Sequence, residues 1–201
     1  MRGGFAKFLC AVACAVLLAL ACAASAGAEE TVITLTVIAD PVKVNGSPWD
    51  GYPAVGNRII APDSSNAPDI AVCVVQATGG PDCIWRTERR RTTSHCPDAT
   101  TCTIPGIRLP GFPIGLIFLD VDLVRHDLID FVILRDKEAA ADDVAKVEAN
   151  LHAVLAKLTP GLTPREREQR RRKARVVPLE LCLGENQKCD LSQSRFWLER
   201  N

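Results

Sequence analysis

Three aspartates lie close together between two apolar stretches of the chain. Asp120 and Asp122 follow the apolar run 114–119, and Asp127 comes directly before the apolar run 128–134. Residues two apart on a strand point to the same side, so Asp120 and Asp122 are expected to face one way. Clustered carboxylates repel one another unless water or a hard divalent cation neutralises them. The pattern predicts a calcium site, because calcium accepts a flexible set of many carboxylate and carbonyl oxygens.

This acidic segment allows other interpretations. An EF-hand is excluded, because counting from Asp120 puts Phe131 at the twelfth position, where a bidentate Glu is required. A solvated hairpin turn is the simpler alternative, since Asp is common in turns. His126 lies between the aspartates and either tunes the site or is a plain surface residue.

No catalytic pattern accompanies the aspartates. The chain has no Gly-x-Ser-x-Gly elbow, no P-loop and no dinucleotide fingerprint. A hydrolase that uses bound calcium would also need a nucleophile, and none stands out. The sequence therefore predicts a protein that is not an enzyme.

The elements that must position the aspartates are mainly strands. Alternating or continuous apolar residues predict strands in four segments before the helical part of the chain: 31–38, 70–76, 114–119 and 128–134. Helical spacing predicts a helix over 137–158, and a basic helix follows at 165–173. Strand-like character returns at 176–183 and 194–198. The predicted fold is mainly β, an antiparallel β-sandwich with a C-terminal two-helix appendage.

The acidic segment resembles the third calcium loop of C2 domains. In that family a strand ends in Asp-x-Asp, and an Asp followed by apolar residues opens the next strand, as Asp127-Leu128-Ile129 does here. The family's first calcium loop supplies two more aspartates. The resemblance covers about residues 31–135 and carries Asp50 and Asp69 over to that loop. It implies a C2-like sandwich that binds Ca²⁺ through five side chains: Asp50, Asp69, Asp120, Asp122 and Asp127.

The chain also departs from the C2 pattern. Residues 51–68 form an insertion between the two aspartates of the first loop, so Asp63 is an alternative ligand to Asp50. Asp130 stands where the family usually has Gly. At the tip of the third loop, Leu123 and Val124 are the residues that the resemblance would place in contact with lipid. Their alternative role is to pack on the neighbouring loop.

Cysteine usage and the N-terminus both predict export. Two positive residues precede the apolar run 8–21, and small-residue cleavage sites end before Glu29. Six cysteines remain after residues 1–28, which predicts three disulfides. These cysteines are Cys73, Cys83, Cys96, Cys102, Cys182 and Cys189. Cys182 is expected to pair with Cys189 across a turn, while the pairing of the other four stays open. Acylation of Cys22, giving a lipid anchor, is the alternative to a periplasmic or extracellular protein.

The sequence also predicts the order of the segments along the chain. The expected order is a signal peptide at 1–28, a C2-like sandwich at 29–135, a helical appendage at 136–175 and a disulfide-closed strand segment at 176–201. The chain has 24 basic and 24 acidic residues, which argues against a nucleic-acid binder. No later apolar stretch is long enough for a transmembrane span.

The predicted function is that of an exported, calcium-dependent module that binds phospholipid head groups or an envelope protein. A calcium-independent, disulfide-stabilised structural or protein-interaction domain is the alternative. The acidic loops motivate the first interpretation, and the cysteine framework alone suffices for the second.

Overall fold

The computed structural model describes residues 31–41, 43, 49, 70–84, 100–121, 126–160 and 164–201. In these residues the strands are β1 (Thr31–Ala39), β2 (Ile70–Val75), β3 (Asp82–Ile84), β4 (Thr101–Leu109), β5 (Ile114–Val121), β6 (His126–Arg135), β7 (Arg175–Pro178), β8 (Cys189–Asp190) and β9 (Ser194–Arg200). The helices are α1 (Ala141–Leu158) and α2 (Pro164–Arg171), and a 3-10 turn spans Leu179–Cys182.

The strands form two sheets. Sheet A has the order β4-β1-β9-β8, and sheet B has the order β3-β2-β5-β6-β7. Every pairing is antiparallel except that of β6 with β7, which is parallel. A parallel pair needs a long crossover connection, and α1 and α2 provide it between these two strands. The mainly β class predicted from the sequence is confirmed, while sheet B is mixed rather than purely antiparallel.

Sheet B is buried on both faces. One face packs against sheet A through residues such as Leu35, Phe118 and Phe196, and the two phenylalanine ring centroids lie 5.4 Å apart. The other face packs against α1, where Leu151 is fully buried. Burial of both faces explains why β2, Ile70–Val75, has no polar residue. The first predicted helix therefore forms a third layer on the sheet.

A glycine allows α1 to approach sheet B closely. A Cβ atom added at Gly115 of β5 would lie 2.6 Å from Cδ1 of Leu151. The helix is also fixed at its side by Asn150, whose Nδ2 donates to the backbone oxygen of Gln76 at 2.8 Å and to that of Gly79 at 3.1 Å. The absence of a side chain at position 115 and these polar contacts set the depth at which the helix sits.

A β-bulge in β6 changes which side chains face which layer. Phe118 pairs with Asp130 and Leu119 pairs with Leu128, so Ile129 is an extra residue in β6. Strand alternation then directs Asp130, like Phe118, towards sheet A. Without the bulge, the residues after it would exchange faces.

Among the described residues, none of the helices combines the length and the apolar character needed to cross a membrane.

Candidate metal site at one end of sheet B

Two of the five predicted calcium ligands face each other at the end of sheet B. Asp120 on β5 is the register partner of Asp127 on β6. Directly opposed side chains in an antiparallel pair lie on the same face, with Cβ atoms about 4.5–5.5 Å apart. Asp120 is 0% exposed and Asp127 is 3% exposed. Two carboxylates are therefore held close together and away from bulk water.

A lysine supplies a positive charge to this pair. The Lys43 ammonium forms an ion pair and hydrogen bond with Oδ2 of Asp127, and both side chains are largely buried. Lys43 Nζ also lies 5.6 Å from the ring centroid of Trp49, within the range of a cation–π interaction. Trp49 is buried, and its Nε1 donates to the backbone oxygen of Asp40 at 2.7 Å. The chain after β1 thus brings one cation to the acidic pair.

Sequence reasoning did not identify Lys43. Nothing in the sequence connects Lys43 with Asp127, which is distant along the chain. That contact depends on the path of the chain after β1.

The other predicted site residues fall outside the described part of the chain. These are Asp50, Asp69, Asp122, Leu123 and Val124. Ile70, which follows Asp69, pairs with Asp120, so β2 begins at the end of sheet B that carries the acidic pair. Within the described residues, no group of three or more His, Cys, Asp or Glu side chains is placed to hold a metal ion. Asp120 and Asp127 would need oxygen ligands from elsewhere in the chain.

A third buried carboxylate lies further along β6 and has a different environment. Asp130 accepts hydrogen bonds from Ser192 Oγ at 2.7 Å, from the backbone N–H of Gln193 at 2.6 Å and from Ser194 Oγ at 3.1 Å. Burial raises the pKa of the Asp130 carboxyl above its ordinary value, and the hydrogen bonds offset part of that rise. Asp130 thereby connects sheet B to the turn between β8 and β9 of sheet A.

The backbone carbonyl of the bulge residue, Ile129, accepts two hydrogen bonds. The backbone oxygen of Ile129 accepts from Gln193 Nε2 at 2.7 Å and from Gln169 Nε2 at 3.1 Å. A bulge leaves a backbone group without its ladder partner, and these two glutamine side chains replace that partner. Both glutamines are buried. The bulge is therefore a junction that joins β6, α2 and the turn before β9.

Disulfides stabilise both sheets. Cys73 and Cys83, which are register partners in β2 and β3, are bonded to each other. Cys182 is bonded to Cys189, so that predicted pairing is confirmed. Cys102 is disulfide-bonded too, and Cys96 lies outside the described residues. Such bonds persist in oxidising compartments, which agrees with the prediction of export.

Comparison with models of known protein families finds no match, and neither do comparisons with curated proteins and with solved structures. The site must therefore be interpreted from its own residues.

Proposed function

We propose that this chain is an exported β-sandwich module that binds calcium at the β5–β6 end of sheet B and contacts phospholipid head groups or an envelope partner there. The observation that carries the proposal is the buried, directly opposed pair Asp120 and Asp127. Two buried carboxylates repel each other strongly, and a divalent cation relieves that repulsion better than one ammonium does.

The carboxylate groups of Asp120 and Asp127 are of the ligand type that calcium prefers. Carboxylate oxygens are hard ligands, and calcium takes six to eight oxygen ligands, carbonyl and water oxygens included, at about 2.3–2.6 Å. The described residues contribute two carboxylates. The proposal therefore requires further ligands from the predicted set, with Asp122 and Asp69 the nearest in sequence to the pair. Calcium would take the place of the Lys43 ammonium beside Asp127.

Isothermal calorimetry with calcium tests the proposal. We expect saturable binding by the mature protein, and its loss when Asp120 and Asp127 are both changed to Asn. Asp190→Asn is the matched control, because Asp190 is exposed in β8 and distant along the chain from the pair. Asp122→Asn should weaken binding without destabilising the calcium-free protein, since one repelling charge is removed. Absence of binding heat in the wild-type protein would contradict the proposal.

The second candidate function is a calcium-independent structural or protein-interaction domain. One observation favours it: the Lys43 ammonium already partners Asp127. In this account Lys43 is the permanent counter-ion, and the disulfides and the Asp130 junction keep the sandwich rigid. Calorimetry distinguishes the two functions, because a permanent lysine counter-ion predicts no calcium heat for the wild-type protein.

A further inference from the structure

Helix α2 is attached to the body of the protein by polar contacts. Its sequence contains no apolar residue apart from Pro164. Gln169 is buried and donates to the backbone oxygen of Ile129, and Arg170 donates from Nη1 to the backbone oxygen of Thr159 at 3.2 Å. The helix therefore has one anchored side and one side that faces solvent.

Cations occupy the solvent side. At 100° per residue, Arg167 and Arg171 each lie about 160° around the helix from the buried Gln169. Both are exposed, as are Arg172 and Lys173, which follow the helix. None of the ion pairs between described side chains involves these four cations. The four residues Arg167, Arg171, Arg172 and Lys173 are called the basic cluster below.

Folding alone does not account for the basic cluster. The helix macrodipole favours cations near the C-terminus, which explains Arg171, but it disfavours Arg167 in the first turn. Arg167 and Arg171 are also four residues apart, a spacing at which like charges destabilise a helix. Exposed Glu168 lies three and four residues before Arg171 and Arg172 and offsets part of this repulsion, but the charge of residues 167–173 stays positive. An anionic partner would offset this unfavourable charge arrangement.

We infer that the basic cluster is a contact surface for an anionic phospholipid bilayer, and that this contact does not require calcium. The planar guanidinium group matches phosphate oxygens, and three of the four cations are arginines. The four cations are exposed on the outer side of the helix and on the segment directly after it, which suits an extended charged surface. The disulfides place the protein in an oxidising compartment, where the bilayer is the extensive phosphate-bearing surface. This inference stands independently of the proposed calcium site.

Vesicle sedimentation of the mature protein, purified after export, tests the inference. Vesicles of phosphatidylcholine with phosphatidylglycerol are compared with vesicles of phosphatidylcholine alone, with a calcium chelator throughout, first at low salt and then at high salt. The test variant is R167Q/R171Q/K173Q. The matched control is K137Q/K146Q/K157Q, which removes the same number of charges from other parts of the described surface.

We expect the wild-type and control proteins to sediment with the anionic vesicles, and high salt to weaken the binding. Each cation near an anionic surface contributes about a fivefold change in affinity, so the test variant should bind on the order of a hundredfold more weakly. Equal binding by the test variant, no binding in chelator, or equal binding to neutral vesicles would overturn the inference. Binding that appears only with calcium would overturn it and still support the proposed calcium site.

Discussion

Two regions of the β5–β6 pair bury carboxylates, and they compensate the charge in different ways. Asp130 receives neutral donors, a backbone N–H and two hydroxyl groups, from the turn before β9 and the first residue of that strand. Asp127, beside Asp120, receives an ammonium from the end of a flexible lysine side chain. Donors fixed by a turn cannot be exchanged for a ligand, whereas a lysine can withdraw. The first region is therefore structural, and the proposed calcium site lies in the second.

The largest loss of stability is expected when the ion pair between Lys43 and Asp127 is broken. Lys43→Met removes the ammonium and keeps most of the side-chain volume, which leaves Asp127 buried without that counter-charge. Loss of one partner from a buried ion pair costs about 3–5 kcal/mol, so urea unfolding without calcium should show a decrease in stability of this size. The double variant K43M/D127N should recover much of it. A single variant within about 0.5 kcal/mol of wild type would mean that the pair contributes little.

The second largest loss of stability is expected when the Asp130 carboxylate is removed. Asp130→Ala leaves two buried donors, the backbone N–H of Gln193 and the Ser194 hydroxyl, without their acceptor, and we expect a loss of about 3 kcal/mol in the free energy of unfolding. Asp190→Ala, at an exposed acid in the strand before the same turn, should change stability by less than about 0.5 kcal/mol. Similar losses in the two variants would show that the hydrogen bonds to Asp130 have no special importance.

The Cys182–Cys189 disulfide should contribute slightly less to the free energy of unfolding than Asp130 does. Cys182 and Cys189 are seven residues apart, and Cys189 lies in β8, just before the donors to Asp130. Changing both to Ser releases a short loop in the unfolded chain, which corresponds to about 2.5 kcal/mol in the chain-entropy model. Calcium binding at the other region should be unchanged. A change in calcium affinity would show that the two regions are coupled.

The pH dependence of stability sharpens the comparison further. The folded-state pKa of Asp130 is raised above the ordinary value of 3.8, so the folded protein keeps this proton to a higher pH than the unfolded chain does. The resulting stabilisation is complete below pH 3.8 and is lost as the pH rises through the folded-state pKa.

Comparison with Asp130→Asn isolates this effect, because Asn does not titrate. The stability of wild type relative to the variant should fall as the pH rises above 3.8, by about 1.4 kcal/mol for each unit by which the pKa is raised. Urea unfolding of both proteins at a series of pH values measures the difference. A difference that does not vary with pH would contradict the raised pKa.

The sequence predicted the strands well where burial is simple. The apolar runs 70–76, 114–119 and 128–134 became β2, β5 and β6, because a sheet buried on both faces requires continuous apolar residues. The Cys182–Cys189 bond was also predictable, since a short polar turn separates the two cysteines. Local pattern was sufficient in each case.

The contacts that define the two carboxylate regions were not predictable from local pattern. In the sequence Asp130 stands out only as a departure from the C2 pattern, and its donors at 192–194 lie far along the chain. No local pattern connects Lys43 with Asp127. The parallel pairing of β7 with β6 depends on the crossover through two helices, which spacing along the sequence does not specify. These features arise from tertiary packing.

The thermal stability of the wild-type protein across a calcium titration tests the central claim most directly. If the Asp120–Asp127 end of sheet B binds calcium, stabilisation grows with the logarithm of calcium concentration and reaches about 2.7 kcal/mol at one hundred times the dissociation constant. The K43M variant should respond at lower calcium, because no ammonium competes for Asp127. A melting temperature that stays constant in both proteins from micromolar to millimolar calcium would contradict the claim and support the calcium-independent domain.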